Sequence, residues 1–139
     1  MPIRFKVPPK QRTPLRLIIG VGVRIARRAV MHCRLLCLRA KGVTCMGFSY
    51  VDRRCRVSRP ENIVLGSRCV IGKCHLYALD KLVIGDGTIV GDDCFLCGGT
   101  HDIDSEAFEL ITGPITIGKH VWIANGATIL PGVTSATAR

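Results

Sequence analysis

Aromatic residues are scarce in this chain of 139 residues, with one Trp, two Tyr and four Phe. None lies within residues 14–40, where arginines are dense. Surfaces that hold single-stranded nucleic acid interleave aromatic rings with bases, so that class of partner is not expected. Acid is missing as well: residues 1–51 contain no Asp or Glu but 11 of the 20 Lys and Arg. The remaining nine bases face all ten acids, so the formal charge of +10 belongs to the N-terminal segment alone. No apolar run approaches the roughly 20 residues that span a membrane. The run Leu17 to Val23 is short and closed by arginines, and no small-residue cleavage site follows it. Secretion is therefore not expected. The eight cysteines are read as reduced thiols of a cytoplasmic protein rather than a disulfide framework. An apolar fraction of 47% is too high for a disordered chain and ample for one core.

Residues 14–40 have a helical pattern, with Pro14 suited to the first turn and Gly42 to the stop. Leu15, Ile18, Gly22, Ile25, Ala29, Cys33 and Leu36 fall on one face. Arg16, Arg24, Arg27, Arg28 and Arg34 fall on the other. An apolar face opposite an arginine face suits a helix lying in a membrane interface, each base there adding about 1 kcal/mol. The competing reading packs the apolar stripe on the end of the following domain and leaves the arginines in water. The division expected is a basic segment over 1–44 and a folded domain over 45–139.

From Leu65 the sequence falls into sixes, each opening on an aliphatic residue and usually Gly. Leu65-Gly-Ser-Arg-Cys-Val and Ile71-Gly-Lys-Cys-His-Leu come first. After one irregular hexad follow Ile84-Gly-Asp-Gly-Thr-Ile, Val90-Gly-Asp-Asp-Cys-Phe and Leu96-Cys-Gly-Gly-Thr-His. The rhythm returns with Ile117-Gly-Lys-His-Val-Trp, Ile123-Ala-Asn-Gly-Ala-Thr and Ile129-Leu-Pro-Gly-Val-Thr. A weaker pair opens at Val51 and Val57. Such a period predicts a triangular solenoid, one strand and corner per hexad and 18 residues per coil. The leading aliphatic points inward, the fifth position is small, and the Gly is expected to relieve strain at the turn. After His101 the rhythm breaks, so residues 102–116 are expected to leave the solenoid as a loop. A long loop beside a histidine on a rigid scaffold is where a site can be built.

The hexads, together with Thr100-His-Asp, the loop and Pro114-Ile-Thr-Ile-Gly-Lys-His-Val-Trp-Ile-Ala, resemble the hexapeptide-repeat O-acetyltransferases, closest to the colanic-acid and exopolysaccharide type. The resemblance covers about residues 45–134. It implies an all-β fold, a left-handed parallel β-helix with an N-terminal amphipathic helix, in contrast to the usual right-handed crossover. It implies acetyl transfer from acetyl-CoA to a hydroxyl of an exopolysaccharide or lipid-linked saccharide, in a homotrimer whose coenzyme grooves lie between subunits. No metal is implied. His101 is then the general base, a role that histidine fits near neutral pH. Asp102 orients the imidazole or, like Asp104, meets sugar hydroxyls, and Glu106, Phe108 and Glu109 shape the acceptor pocket. Trp122 lines the pantetheine channel, and Ala124 and Asn125 offer it polar groups.

Other sites fit less well. Cys94-x-x-Cys97 is half of a zinc motif without a second half, and Cys94 falls in the small inward slot. His75, His101 and His120 lack the close spacing of a zinc site, and His75 occupies a fifth position for which the pattern offers no reason. The family continues with further Ile-Gly repeats after Pro-Gly-Val-Thr, whereas Ser135 to Arg139 interrupts them. A C-terminally truncated protein is expected on that ground, and an inactive solenoid serving as an interaction module is the competing function.

Overall fold

The computed structural model describes residue 23 and residues 33–137. The chain divides into two compact units, residues 1–30 and 31–139. Of the first, Val23 is described, and it is helical and half exposed. The rest of the predicted helix before residue 33 lies outside the described residues.

The second unit opens with helix α1, residues 33–40. It ends where Gly42 takes φ 109° and Val43 N–H donates to Leu38 O at 3.0 Å, a glycine-based stop of the expected kind. Leu35, Leu38 and Val43 are buried, whereas Cys33 and Leu36 are exposed. In this stretch the face that packs is therefore not the predicted apolar stripe. The buried face includes Arg34, half-buried, whose guanidinium donates to Cys55 O at 2.9 Å.

Strands then follow three to a coil. The first coil holds β1 (Thr44–Cys45), β2 (Tyr50–Val51) and β3 (Arg56–Ser58). The second holds β4 (Ile63–Leu65), β5 (Val70–Ile71) and β6 (His75–Tyr77), and the third β7 (Leu82–Ile84), β8 (Ile89–Val90) and β9 (Phe95–Cys97). A hairpin of β10 (Gly99–His101) and β11 (Leu110–Thr112) projects before the fourth coil, β12 (Ile115–Ile117), β13 (Trp122–Ile123) and β14 (Thr128–Ile129). A fifth coil begins with β15 (Thr134–Ser135). Each strand pairs in parallel with its counterpart one coil away, giving the three sheets β1-β4-β7-β12-β15, β2-β5-β8-β13 and β3-β6-β9-β14. The hairpin alone is antiparallel. The result is the expected parallel β-helix of hexapeptide repeats, consistent with the left-handed kind.

The leading aliphatics Leu65, Ile71, Ile84, Val90, Leu96, Ile117 and Ile123 are all buried, and register stacks them across coils. Burying one such side chain is worth about 1.5–3 kcal/mol, and close stacking is needed to collect it. Register departs from 18 residues in the earlier coils, where Thr44 faces Val64 and Ile63 faces Leu82, and keeps to it where Thr116 faces Thr134. The second coil is one residue short between Ile71 and Leu76, which aligns Leu76 with Val57 and Leu96. Cys74 thereby enters the buried slot, and His75 turns to the outer face. That shift supplies the reason for His75 that a strict count of six lacks.

The fifth position has a function beyond small size. Ser49 Oγ–H donates to Gly66 O at 2.8 Å, and Thr88 Oγ–H donates to Gly118 O at 2.8 Å. Cys69 and Cys94 thiols donate in the same way to Gly85 O and Ala124 O, at 3.2 and 3.0 Å. Each of these four slots thus holds a small donor that satisfies a carbonyl of the next coil. Thr100, predicted to share this slot, is exposed on the hairpin instead, and Val133 is also exposed.

The third position closes the corner from the opposite side. Carboxylates of Asp86 and Asp92 accept from Ser67 N–H and Lys73 N–H at 2.8 and 2.7 Å. Asn125 Oδ1 accepts from Asp92 N–H at 3.1 Å, and Thr137 Oγ1 from Lys119 N–H at 3.2 Å. The backbone donor of Ser67, followed by Lys119, lowers the pKa of Asp86. The glycines in second position are required by this contact and not by turn strain. A Cβ on Gly85 would lie 2.7 Å from the backbone of Gly118. The left-handed backbone falls two residues later, at Arg68, Gly87, Asp93, His120, Gly126 and Gly132.

Thr88 is fully buried and also accepts from Val121 N–H at 3.1 Å. Thr88→Val keeps the shape but leaves both backbone partners unpaired. Urea unfolding is expected to show a loss of about 1–3 kcal/mol, with Thr88→Ser retaining most of the stability. At the β2–β3 corner, side-chain and backbone hydrogen bonds from Arg54 hold Asp52 down to about 2. A carboxyl lowered by folding stabilises above its unfolded value near 4 and loses that contribution as pH falls towards 2. Unfolding midpoints between about pH 4 and 2 should therefore decline less steeply in Asp52→Asn than in the parent.

Candidate active site

Gly98 and Gly99 turn the chain out of the third coil. Gly98 N–H donates to Tyr77 O at 2.7 Å, and a Cβ there would lie 2.8 Å from that oxygen. The excursion runs from Gly99 to Gly113 rather than over 102–116, since Ile115–Ile117 already pair with Leu82–Ile84. His101 is thus the last residue of β10, opposite Leu110, and not the close of a hexad.

The tip of the hairpin builds a cradle for the imidazole. Asp102 N–H donates to Glu109 O at 2.8 Å, extending the ladder. Phe108 N–H donates to Ser105 O at 3.0 Å, and Phe108 takes φ 48°. This left-handed residue, uncommon for a bulky side chain, does two things to His101. Its ring stacks on the imidazole, with centroids 4.6 Å apart and planes 5° apart. Its carbonyl oxygen lies 2.8 Å from Nδ1. A carbonyl can only accept, so Nδ1 carries the proton and the neutral ring presents Nε2 as a bare base. His101 is exposed.

Among the described residues Asp102 makes no hydrogen bond to the imidazole. Asp102 Oδ1 accepts from Asp104 N–H at 3.0 Å, closing its own turn, and the orientation of the imidazole falls to the Phe108 backbone. Asp104, Glu106 and Glu109 are exposed on the hairpin, as are Ile103 and Leu110. The importance of Phe108 for the histidine lies in its carbonyl and its positive φ, neither of which residue type reveals.

Trp122, Ala124 and Asn125 sit on the fourth coil. Trp122 is 75% exposed on β13, the terminal strand of its sheet. Ala124 O accepts the Cys94 thiol proton, and Asn125 Oδ1 serves the corner described above. Among the described residues, no hydrogen bond or ring contact joins these three to the hairpin. Cys94 and Cys97 face opposite ways, the first buried in the corner slot and the second half-buried with its thiol on Gly99 O. Among the described residues no group of three or more His, Cys, Asp or Glu is placed to hold a metal ion. No helix there is long and apolar enough to cross a membrane.

The chain is similar in sequence to several known proteins. Over 80 residues the chain is 32% identical to an Escherichia coli K12 protein named as a candidate colanic acid biosynthesis acetyltransferase, WcaF. That stretch is 57% of this chain and 44% of the relative. Over 77 residues it is 39% identical to nodulation protein L of Rhizobium meliloti strain 1021, covering 52% of this chain and 42% of the relative. A candidate acetyltransferase of Schizosaccharomyces pombe is 36% identical over 67 residues, 44% of this chain and 31% of the relative. The matches span less than half the length of each of these relatives. No family model matches the chain, and no solved structure matches it significantly. The coils, the corner ladders and the hairpin define a hexapeptide-repeat β-helix. Within that class the chain is similar to proteins named as acetyltransferases, one of them of colanic acid biosynthesis, and to a nodulation protein.

Nitrogen NMR at mildly alkaline pH should find His101 protonated at Nδ1 and bare at Nε2. Asp102→Asn should leave that pattern unchanged. A tautomer reversal in Asp102→Asn would return the orienting role to the carboxylate.

Proposed function

We propose that this chain carries out acetyl transfer from acetyl-CoA to a saccharide hydroxyl, with His101 as general base. One observation carries the reading: a hydrogen bond to Phe108 O at Nδ1 leaves Nε2 as the basic nitrogen of an exposed, ring-stacked histidine. In the reaction Nε2 takes the hydroxyl proton as the sugar oxygen attacks the thioester carbonyl. The tetrahedral intermediate expels the coenzyme A thiolate, which takes the proton back from the imidazolium. Products are the O-acetyl saccharide and free thiol, and the histidine returns to its starting state. A stacked ring and a bound Nδ1–H cut the rotational freedom that a base on a projecting hairpin would otherwise lose in the transition state.

Asp102, Asp104 and Glu109 supply acceptors on the hairpin for sugar hydroxyls. Trp122 offers an exposed apolar face to the pantetheine arm, beside Ala124 and Asn125. Among the described residues no hydrogen bond or ring contact joins these two groups, and a homotrimer in which the hairpin of one subunit meets the fourth coil of the next would bring them together. The basic residues of 1–51 suit peripheral contact with an anionic membrane at the cytoplasmic face, where lipid-linked acceptors would be held.

Release of free thiol from acetyl-CoA, followed across a panel of mono- and oligosaccharides, tests the reading. His101→Ala is expected to lower the rate by about 10²- to 10⁴-fold while leaving the fold intact by circular dichroism. A folded parent protein that acetylates no saccharide in the panel, or a His101→Ala variant as active as the parent, would overturn it.

A further inference from the structure

The outer face of the sheet β3-β6-β9-β14 holds a groove that the hairpin chemistry leaves unused. It is lined by Arg54, Arg56, Lys73, His75, Asp93 and Phe95, drawn from three successive coils. Register sets Arg56, His75 and Phe95 in one row across the strands. The one-residue shortening of the second coil puts the histidine there.

Three rings form the platform. His75 stacks on Phe95 with centroids 5.2 Å apart and planes 22° apart. Tyr77 tilts against both, at 5.6 and 6.2 Å. Burial, followed by the charge of Arg56, lowers the pKa of His75, and its Nε2 lies 3.1 Å from Ser58 Oγ. The ring is therefore neutral under ordinary conditions, and the platform presents aromatic faces rather than a cation. Such faces carry negative potential and attract the weakly positive C–H face of a pyranose.

The rim divides into two kinds of charge. Arg54 is paired with Asp52 at 3.2 Å and Lys73 with Asp93 at 2.8 Å. These pairs offer donors and acceptors side by side, a match for sugar hydroxyls. Arg56 is exposed and makes no ion pair among the described residues. Its guanidinium, at the end of the aromatic row, is a free fork for a carboxylate or phosphate. The strand that carries Phe95 continues through Gly98 into the hairpin of His101, so groove and base lie along one run of chain.

We propose that this groove is a second saccharide-binding site, one that holds a sugar unit bearing a carboxylate or phosphate while another part of the same acceptor reaches His101. The inference rests on the saccharide acceptor proposed above. It adds that the acceptor is anionic and extended, and that Arg56 selects it.

Isothermal titration of the full chain without acetyl-CoA tests this with three probes: a uronic acid oligosaccharide, a sugar phosphate and a neutral oligosaccharide of equal length. The uronate or the sugar phosphate, whichever supplies the natural charge, is expected to bind more tightly than the neutral probe. Arg56→Gln should weaken the anionic probe by roughly tenfold or more and leave the neutral one unchanged. Phe95→Ala should weaken all probes, and Phe95→Tyr should restore them. The titration needs neither acetyl-CoA nor turnover, so a failure of the catalytic reading leaves this result standing. Equal binding of the anionic probe by Arg56→Gln and parent would overturn the proposal. So would binding by none of the three probes, or protection of the groove from hydrogen exchange by self-association alone.

Discussion

Vertical register between coils is the constraint on which this protein depends. Each inward aliphatic residue is covered by its counterpart above and below, and a slip of one residue would turn a buried row outward. Register is enforced at the corners more than in the strands, which are only two or three residues long. Small donors in the fifth position close carbonyls of the next coil, and side chains in the third position close N–H groups of the coil before. The intervening glycine lets the two backbones approach far enough for both bonds to form. Four of the eight cysteines find their place in this arrangement. Cys69 and Cys94 stand in for serine or threonine as corner donors, and Cys55 and Cys74 stack in one buried column with their sulfurs 3.7 Å apart. Burial raises the pKa of Cys69, and the partner thiol Cys55, with burial, raises that of Cys74.

The scaffold explains why the proposed base lies on the hairpin. Inside the solenoid the third-position side chains Asp86, Asp92 and Asn125 are committed to a neighbouring coil. A side chain that must take a proton from a substrate has to be free of that ladder. Gly98 provides the exit by passing close to the backbone of Tyr77 and Leu79, where no side chain would fit. The short antiparallel ladder then holds the tip, and a left-handed Phe108 brings its carbonyl and its ring to one histidine. Strain at a residue of this kind persists only where its surroundings over-determine it. Here the Ser105 turn, the Asp102 ladder bond and the ring stack do so together.

Much of this was legible from residue order. A hexad opened by Ile, Leu or Val has one physical solution that buries every leading residue, and so the parallel β-helix follows from the repeat. The departure of the chain near His101 follows from the break in it. The faces of a short helix are less legible. Cys33 and Leu36 belong to a plausible apolar stripe, yet Leu35 and Leu38 pack. Helical spacing ranks faces by composition, while packing selects the face that the end of the solenoid can cover.

By itself, then, the sequence determined the solenoid, the order of its coils and the histidine that leaves it, because these follow from a periodic need to bury apolar side chains. Tertiary structure alone decided three other matters. It set the limits of the hairpin at Gly99 and Gly113, since parallel pairing of Ile115 with Leu82 outweighs the count of six. It turned His75 outward onto Phe95, because one missing residue in a corner is absorbed locally and the strands stay aligned. And it gave the orientation of His101 to a backbone carbonyl rather than to the adjacent Asp102. Every residue has a carbonyl, so only the path of the chain can say which one a side chain will meet.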